Sequence, residues 1–119
     1  MCVFCEIING NIPSQVVYEN EDVKCIRDIK PAAPVHVLII PKKHFDDILD
    51  LGSSEEGIQT ANAVLKAIPE VMKATHIEEG FRVINNCKEY GGQTVMHVHF
   101  HICGSHHVVG KHLCVTNAA

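Results

Sequence analysis

The 119-residue chain is 46% hydrophobic and 20% charged, with nine histidines, six cysteines, no tryptophan and a formal net charge of −4. That length and balance describe one globular domain, and exclude a disordered chain and a basic nucleic-acid-binding surface. No apolar run approaches the about 18 residues that a membrane span needs. The start, Met1-Cys2-Val3-Phe4-Cys5-Glu6, lacks the basic and apolar regions of a secretory signal, so the expectation is a cytoplasmic protein with no membrane or nucleic-acid partner.

Phe4 to Ile8 is a short amphipathic piece that stops at the turn signal Asn9-Gly10-Asn11. Val16 to Glu19 and Val23 to Asp28 read as strands joined by Asn20-Glu21-Asp22. Pro31 and Pro34 mark an irregular segment, since proline lacks the ladder donor. His36 to Ile40 is then a largely buried strand ended by Pro41, and Phe45 to Leu51 a short helix. Ser53, with Glu56 at capping-box spacing, opens the longest element. Ile58, Ala61, Leu65, Ile68 and Met72 repeat along it as one helix face for packing on a sheet. Pro69 is expected to kink or split that helix. Phe81 to Asn85 is a strand, Lys88 to Gln93 a glycine-containing loop, and Val95 to Cys103 the last strand. Strands, one long helix and strands again predict an α+β fold: an antiparallel sheet of about five strands with one long and one or two short helices.

Without a secretion signal, Cys2, Cys5, Cys25, Cys87, Cys103 and Cys114 read as reduced thiols rather than a disulfide scaffold. Cys2-x-x-Cys5 is the one closely spaced pair, which suits a metal.

The informative stretch is Met96-His97-Val98-His99-Phe100-His101-Ile102. On a strand alternate side chains share a face, so His97, His99 and His101 project together at about 6.6–6.8 Å spacing. Val98, Phe100 and Ile102 fill the opposite face. Two chemistries fit such a row. Neutral imidazoles can share a zinc ion, although no carboxylate follows Glu89 to complete a cupin-type site. Alternatively, one imidazole attacks phosphorus while a neighbour donates to phosphate oxygens. Gly91-Gly92-Gln93-Thr94, just upstream, supplies amides and a hydroxyl suited to phosphate.

The ordered set of segments resembles the histidine triad (HIT) family of nucleotide hydrolases and transferases, and within it the nucleoside phosphoramidase-like branch. The segments are Cys2 to Gly10, Ile12-Pro13-Ser14, Asp28-Ile29, Pro34 to His44, Val83 to Asn86, Gly91 to Val95 and the histidine row. The resemblance implies one HIT domain over 1–119, with a zinc and base-pocket segment at 1–14 and a divergent tail at 104–119. It implies a homodimer with a joined sheet. By position His99 matches the nucleophile that becomes nucleotidylated, its ring oriented by the His97 carbonyl. His101 matches the contact to phosphate and leaving group, and His36 a fourth histidine in proton relay. Asp28 matches the carboxylate that accepts both ribose hydroxyls. Val3, Phe4, Ile7, Ile26 and Ile29 match the apolar base pocket, and Asn85 (or its neighbour Asn86), Gly92, Gln93 and Thr94 the phosphate and site-loop contacts. In zinc-bearing members the matching ligands are Cys2, Cys5, His44 and His97, which implies one structural zinc per subunit and none in the chemical step.

The implied activity is hydrolysis or nucleotidyl transfer at the α-phosphate of a purine nucleoside phosphoramidate, of the adenosine 5'-monophosphoramidate type. Dinucleoside polyphosphate hydrolysis and a weakly catalytic purine-nucleotide-binding interaction module stand as alternatives. The Gly-Gly-Arg and tryptophan-proline tail of phosphoramidase relatives has no counterpart in Gly104-Ser105-His106-His107-Val108 or in Lys111-His112-Leu113-Cys114, so the leaving group stays open.

Overall fold

The computed structural model describes residues 1–107. The divergent segment after His107, with His112 and Cys114, lies outside the described residues. Five strands form one antiparallel sheet in the order β1-β2-β3-β5-β4, with β1 Val16–Glu19, β2 Val23–Arg27, β3 Val35–Pro41, β4 Phe81–Ile84 and β5 Phe100–Gly104. Helix α1, Val3–Ile8, and the long α3, Glu55–Thr75, cover its two faces, and α2, Ile48–Leu51, leads into α3.

The central strand shows how the faces are chosen. All seven residues of β3 are buried. Val35, Val37 and Ile39 point to the α3 side, where Val23, Cys25, Val64, Ala67, Val71 and Ile102 complete the core. Leu38 and Ile40 point the other way, onto Phe4, Ile7 and Ile26. The period of two therefore puts His36, between Val35 and Val37, on the α1 face. Lys24 of β2 is buried on that face, and its ammonium donates to the Ile7 carbonyl near the end of α1 at 3.0 Å.

Several expectations are corrected. The last strand begins at Phe100, not Val95. The Val98 amide donates to the Phe45 carbonyl at 2.7 Å, outside the strand ladder. The His97 carbonyl accepts from the His99 ring, and the His99 carbonyl from Asn85. The helix cap is Ser54, whose side chain accepts from the Gly57 amide, rather than Ser53. The buried face of α3 is Gly57, Val64, Ala67, Val71, Met72 and Thr75. Of the expected stripe, Ile58 and Leu65 are 49% and 64% exposed. Gly57 decides this rotation, because a Cβ there would overlap the Leu51 carbonyl. Pro69 does not split the helix. It lacks the amide that would bond the Leu65 carbonyl, and the helix runs on through it.

Among the described cysteines, Cys2, Cys5, Cys25 and Cys87 are free thiols, and Cys103 is disulfide-bonded, against the expectation of reduced thiols throughout.

Candidate active site and metal cluster

His97, His99 and His101 are 0%, 2% and 0% exposed and lie on the α1 face. The alternation expected of a strand persists although only His101 belongs to β5. Phe4 packs edge-on against both His97 and His99, with ring centroids 6.0 and 4.8 Å away. Val98 packs with Phe45 and Leu51 on the far side.

The hydrogen bonds fix which ring nitrogen each histidine presents. His99 Nδ1 lies 2.8 Å from the His97 carbonyl. A carbonyl only accepts, so Nδ1 carries the proton and Nε2 the lone pair. On β3 the Ala32 amide donates to His36 Nδ1 at 3.0 Å, and His36 Nε2 lies 2.8 Å from His101 Nδ1. His36 therefore has its proton on Nε2, donates it to His101 Nδ1, and leaves the His101 proton on Nε2. Burial holds His36 below the ordinary histidine pKa, against the opposing pull of Asp28. The neutral ring suits this chain of bonds.

Asp28 follows β2, and its Oδ2 lies 3.5 Å from His36 Nε2. Its Oδ1 accepts from the Lys30 amide at 2.8 Å, closing a tight turn that holds the carboxylate. Asp28, His36 and His101 are close enough to suggest a metal, but the tautomer chain leaves no lone pair on His36 Nε2. The trio suits hydrogen bonding.

The second cluster is Cys2, Cys5, His44 and His97, whose donor atoms all lie within 4.8 Å of one another. Cys2 and Cys5 bracket the first turn of α1, His44 follows β3, and His97 opens the histidine row. His97 Nδ1 is 3.3 Å from Cys2 Sγ and 3.5 Å from Cys5 Sγ, and His44 Nδ1 is 3.5 Å from Cys5 Sγ. A tetrahedral zinc at about 2.3 Å from sulfur and about 2.0 Å from nitrogen sets S···N edges of about 3.5 Å, so the donor set fits that ion. His97 Nε2 donates to the Pro41 carbonyl at 2.7 Å, and His44 Nε2 to Asp46 Oδ1 at 2.8 Å. Burial raises the Cys5 thiol, and its bond to Cys2 and the Cys2 charge take it further, to about 11. Burial also acts upward on Cys2, but bonds from Cys5 and His44 outweigh it and Cys2 falls below its ordinary value.

The remaining expected residues divide. Phe4, Ile7 and Ile26 form the apolar wall of this face, with Val3 41% exposed at its edge. Ile29 is 91% exposed and takes no part in the wall. Asn85 reaches the row: its Nδ2 donates to the His99 carbonyl at 2.9 Å. Gly92 is in the left-handed region at φ 89°, where a side chain would be strained. Thr94 is exposed on a cleft of about 360 Å³ that it shares with Cys2, Val3 and His44. Gln93 does not offer its side chain to a nucleotide. It is 3% exposed, accepts the Lys88 amide at 2.7 Å, and donates to the Asp46 and Val95 carbonyls at 2.7 and 3.0 Å.

Sequence reasoning missed Asp46, whose only signal is an acid two residues after His44. It also missed the Ala32 amide and Pro41 carbonyl, main-chain groups that leave no signal.

Two histidine clusters thus share one face of a five-stranded antiparallel sheet, one with His36, His99 and His101 buried and the other with His97 buried and His44 exposed. The HIT domain model matches residues 9–108. A HIT family hydrolase from Clostridium thermocellum superposes with a TM-score of 0.84 at 44% identity, covering 94% of this chain and 96% of that one. A 14 kDa zinc-binding protein from Zea mays is 43% identical over 103 residues, 86% of this chain and 80% of the relative. The purine nucleoside phosphoramidase of Escherichia coli K12 is 36% identical over 103 residues, 86% and 85% of the two chains. The chain belongs to the HIT domain family and is a hydrolase of that family.

Proposed function

We propose that the protein hydrolyses purine nucleoside phosphoramidates through a nucleotidyl intermediate on His99. The observation that carries this reading is the 2.8 Å bond from His99 Nδ1 to the His97 carbonyl, which gives Nε2 the lone pair. In this mechanism Nε2 attacks the α-phosphorus, the phosphorus–nitrogen bond breaks, and the amine leaves with a proton from solvent. Water then cleaves the histidine–phosphorus bond, releasing the nucleoside 5'-monophosphate and neutral His99. His101 donates from Nε2 to a phosphate oxygen, where negative charge develops. His36 keeps His101 in that tautomer, and Asp28 receives the ribose hydroxyls. Phe4, Ile7 and Ile26 supply the apolar wall for the base, and the amides near Gly92 and the Thr94 hydroxyl face the phosphates.

The likeness to a phosphoramidase supports the substrate class. The test is trapping. Enzyme mixed with a nucleotide-labelled phosphoramidate and quenched in alkali should hold a base-stable, acid-labile label at His99. Rapid turnover with no label on any histidine rejects the intermediate. Faster cleavage of a dinucleoside polyphosphate than of the phosphoramidate moves the protein to that substrate class.

Cys2, Cys5, His44 and His97 would hold one structural zinc ion, which joins the N-terminal segment to the histidine row and takes no part in the chemical step. The donor geometry and the zinc-binding relative support it. Metal analysis should find one zinc per chain.

A homodimer fits the apolar groove formed by Ile48, Ile58, Leu65, Ile68, Val83 and Phe100. It lies beside β4, which ends the sheet. Exposed apolar patches of this kind mark interfaces. The groove also accounts for the exposed residues of the expected α3 stripe. Sedimentation should give twice the chain mass, and Leu65→Glu should return the monomer. Among the described residues, no helix is long and apolar enough to cross a membrane.

A further inference from the structure

His44 and His97 both turn Nδ1 toward the thiols, but they are held by different means. His97 is fully buried, and a main-chain carbonyl takes its Nε2 proton. The His44 side chain is 40% exposed, so packing does little to fix its ring. A side chain takes its Nε2 proton: Asp46 Oδ1, at 2.8 Å. A carboxylate only accepts, so this bond leaves the lone pair on Nδ1, the nitrogen that lies 3.5 Å from Cys5 Sγ.

The carboxylate comes from a fixed main chain. The Asp46 amide donates to Asp50 Oδ2 at 2.9 Å, and its carbonyl accepts from the buried Gln93 at 2.7 Å. Neighbouring carboxylates are committed elsewhere. Asp47 binds the Asp50 amide and the Lys88 ammonium, and Asp50 binds Asp46.

We propose that Asp46 is a positioning residue for zinc, holding His44 in the tautomer and ring orientation that bring Nδ1 to the ion. The proposal rests on the zinc reading above. Carboxylates behind metal-bound histidines typically hold about 10–100-fold in metal affinity.

The experiment compares wild type, Asp46→Ala and Asp46→Asn by competition for zinc against a chromophoric chelator. It adds ¹⁵N spectra of the His44 ring in the metal-free proteins. Wild type should bind one zinc per chain, and Asp46→Ala should bind it about 10–100-fold more weakly. Asp46→Asn keeps an accepting oxygen and should stay within a few-fold of wild type. In the spectra, His44 should be the Nε2–H tautomer in wild type and a mixture in Asp46→Ala. The fold should survive both changes, because the two backbone bonds of residue 46 remain. Wild-type affinity in Asp46→Ala overturns the proposal and leaves the zinc reading standing. Equal losses in Asp46→Ala and Asp46→Asn assign the effect to charge and overturn it too. A wild-type protein that binds no zinc removes the zinc reading and the proposal together.

Discussion

His97 and His99 are two residues apart, share one face of the sheet and are buried to the same degree, yet they present opposite nitrogens. The Pro41 carbonyl takes Nε2–H of His97, which leaves Nδ1 facing two thiols. The His97 carbonyl takes Nδ1–H of His99, which leaves Nε2 to carry the lone pair. The difference lies in which ring atom a main-chain oxygen claims. In the function proposed above, identical side chains divide into a metal end and a phosphate end, and residue 97 serves both, its ring in one and its carbonyl in the other.

Substitutions separate the two ends. His99→Ala should lower turnover by at least about a thousandfold, the scale seen when a nucleophile is removed. Metal content and circular dichroism should stay those of wild type. Retained turnover would erase the distinction between the ends. His36→Leu should cost about a hundredfold, within the range for a group that controls protons at a reacting centre. His36→Gln can still donate to His101 Nδ1 and should recover much of that loss. If the two variants are equally slow, His36 moves protons rather than setting a tautomer. His97→Ala removes a metal ligand but keeps the carbonyl that orients His99. Zinc should fall well below one per chain, while turnover falls only about tenfold, the lower end for disturbed metal surroundings. A loss as large as that of His99→Ala would show that the ends are not separable.

The smallest effect concerns pH. His36 titrates below its unfolded value because it is buried. The unfolded chain therefore takes up a proton at about pH 6.5 that the folded chain refuses. The resulting stability is complete above that pH and is lost as pH falls through the lower folded value. Denaturant midpoints at pH 7.5 and 5.5 should differ less in His36→Leu than in wild type.

The succession of strands, long helix and strands and the alternation of the histidine row were legible because both rest on local periodicity, and the row keeps its face even where the ladder breaks. The α3 face was not legible. The helix carries two apolar stripes, and the choice depends on the approach of Gly57 to Leu51, a contact that sequence patterning does not encode. His36, His44 and Asp28 entered only through family resemblance, since their partners are distant along the chain. Gln93 sits in a glycine-rich run that suits phosphate, yet its side chain is buried in bonds to protein. That outcome depends on where residues 46 and 88 lie in space.

Those Gln93 bonds have a mechanical consequence. One side-chain amide joins the segment after His44 to the Lys88 amide at the head of the glycine loop. Loosening either segment strains the same three hydrogen bonds, so the two should open together rather than as separate local fluctuations. Exchange of the Lys88 amide proton with solvent would then report the assembly of the cysteine–histidine arm, more than 40 residues away in the chain, without any probe placed there.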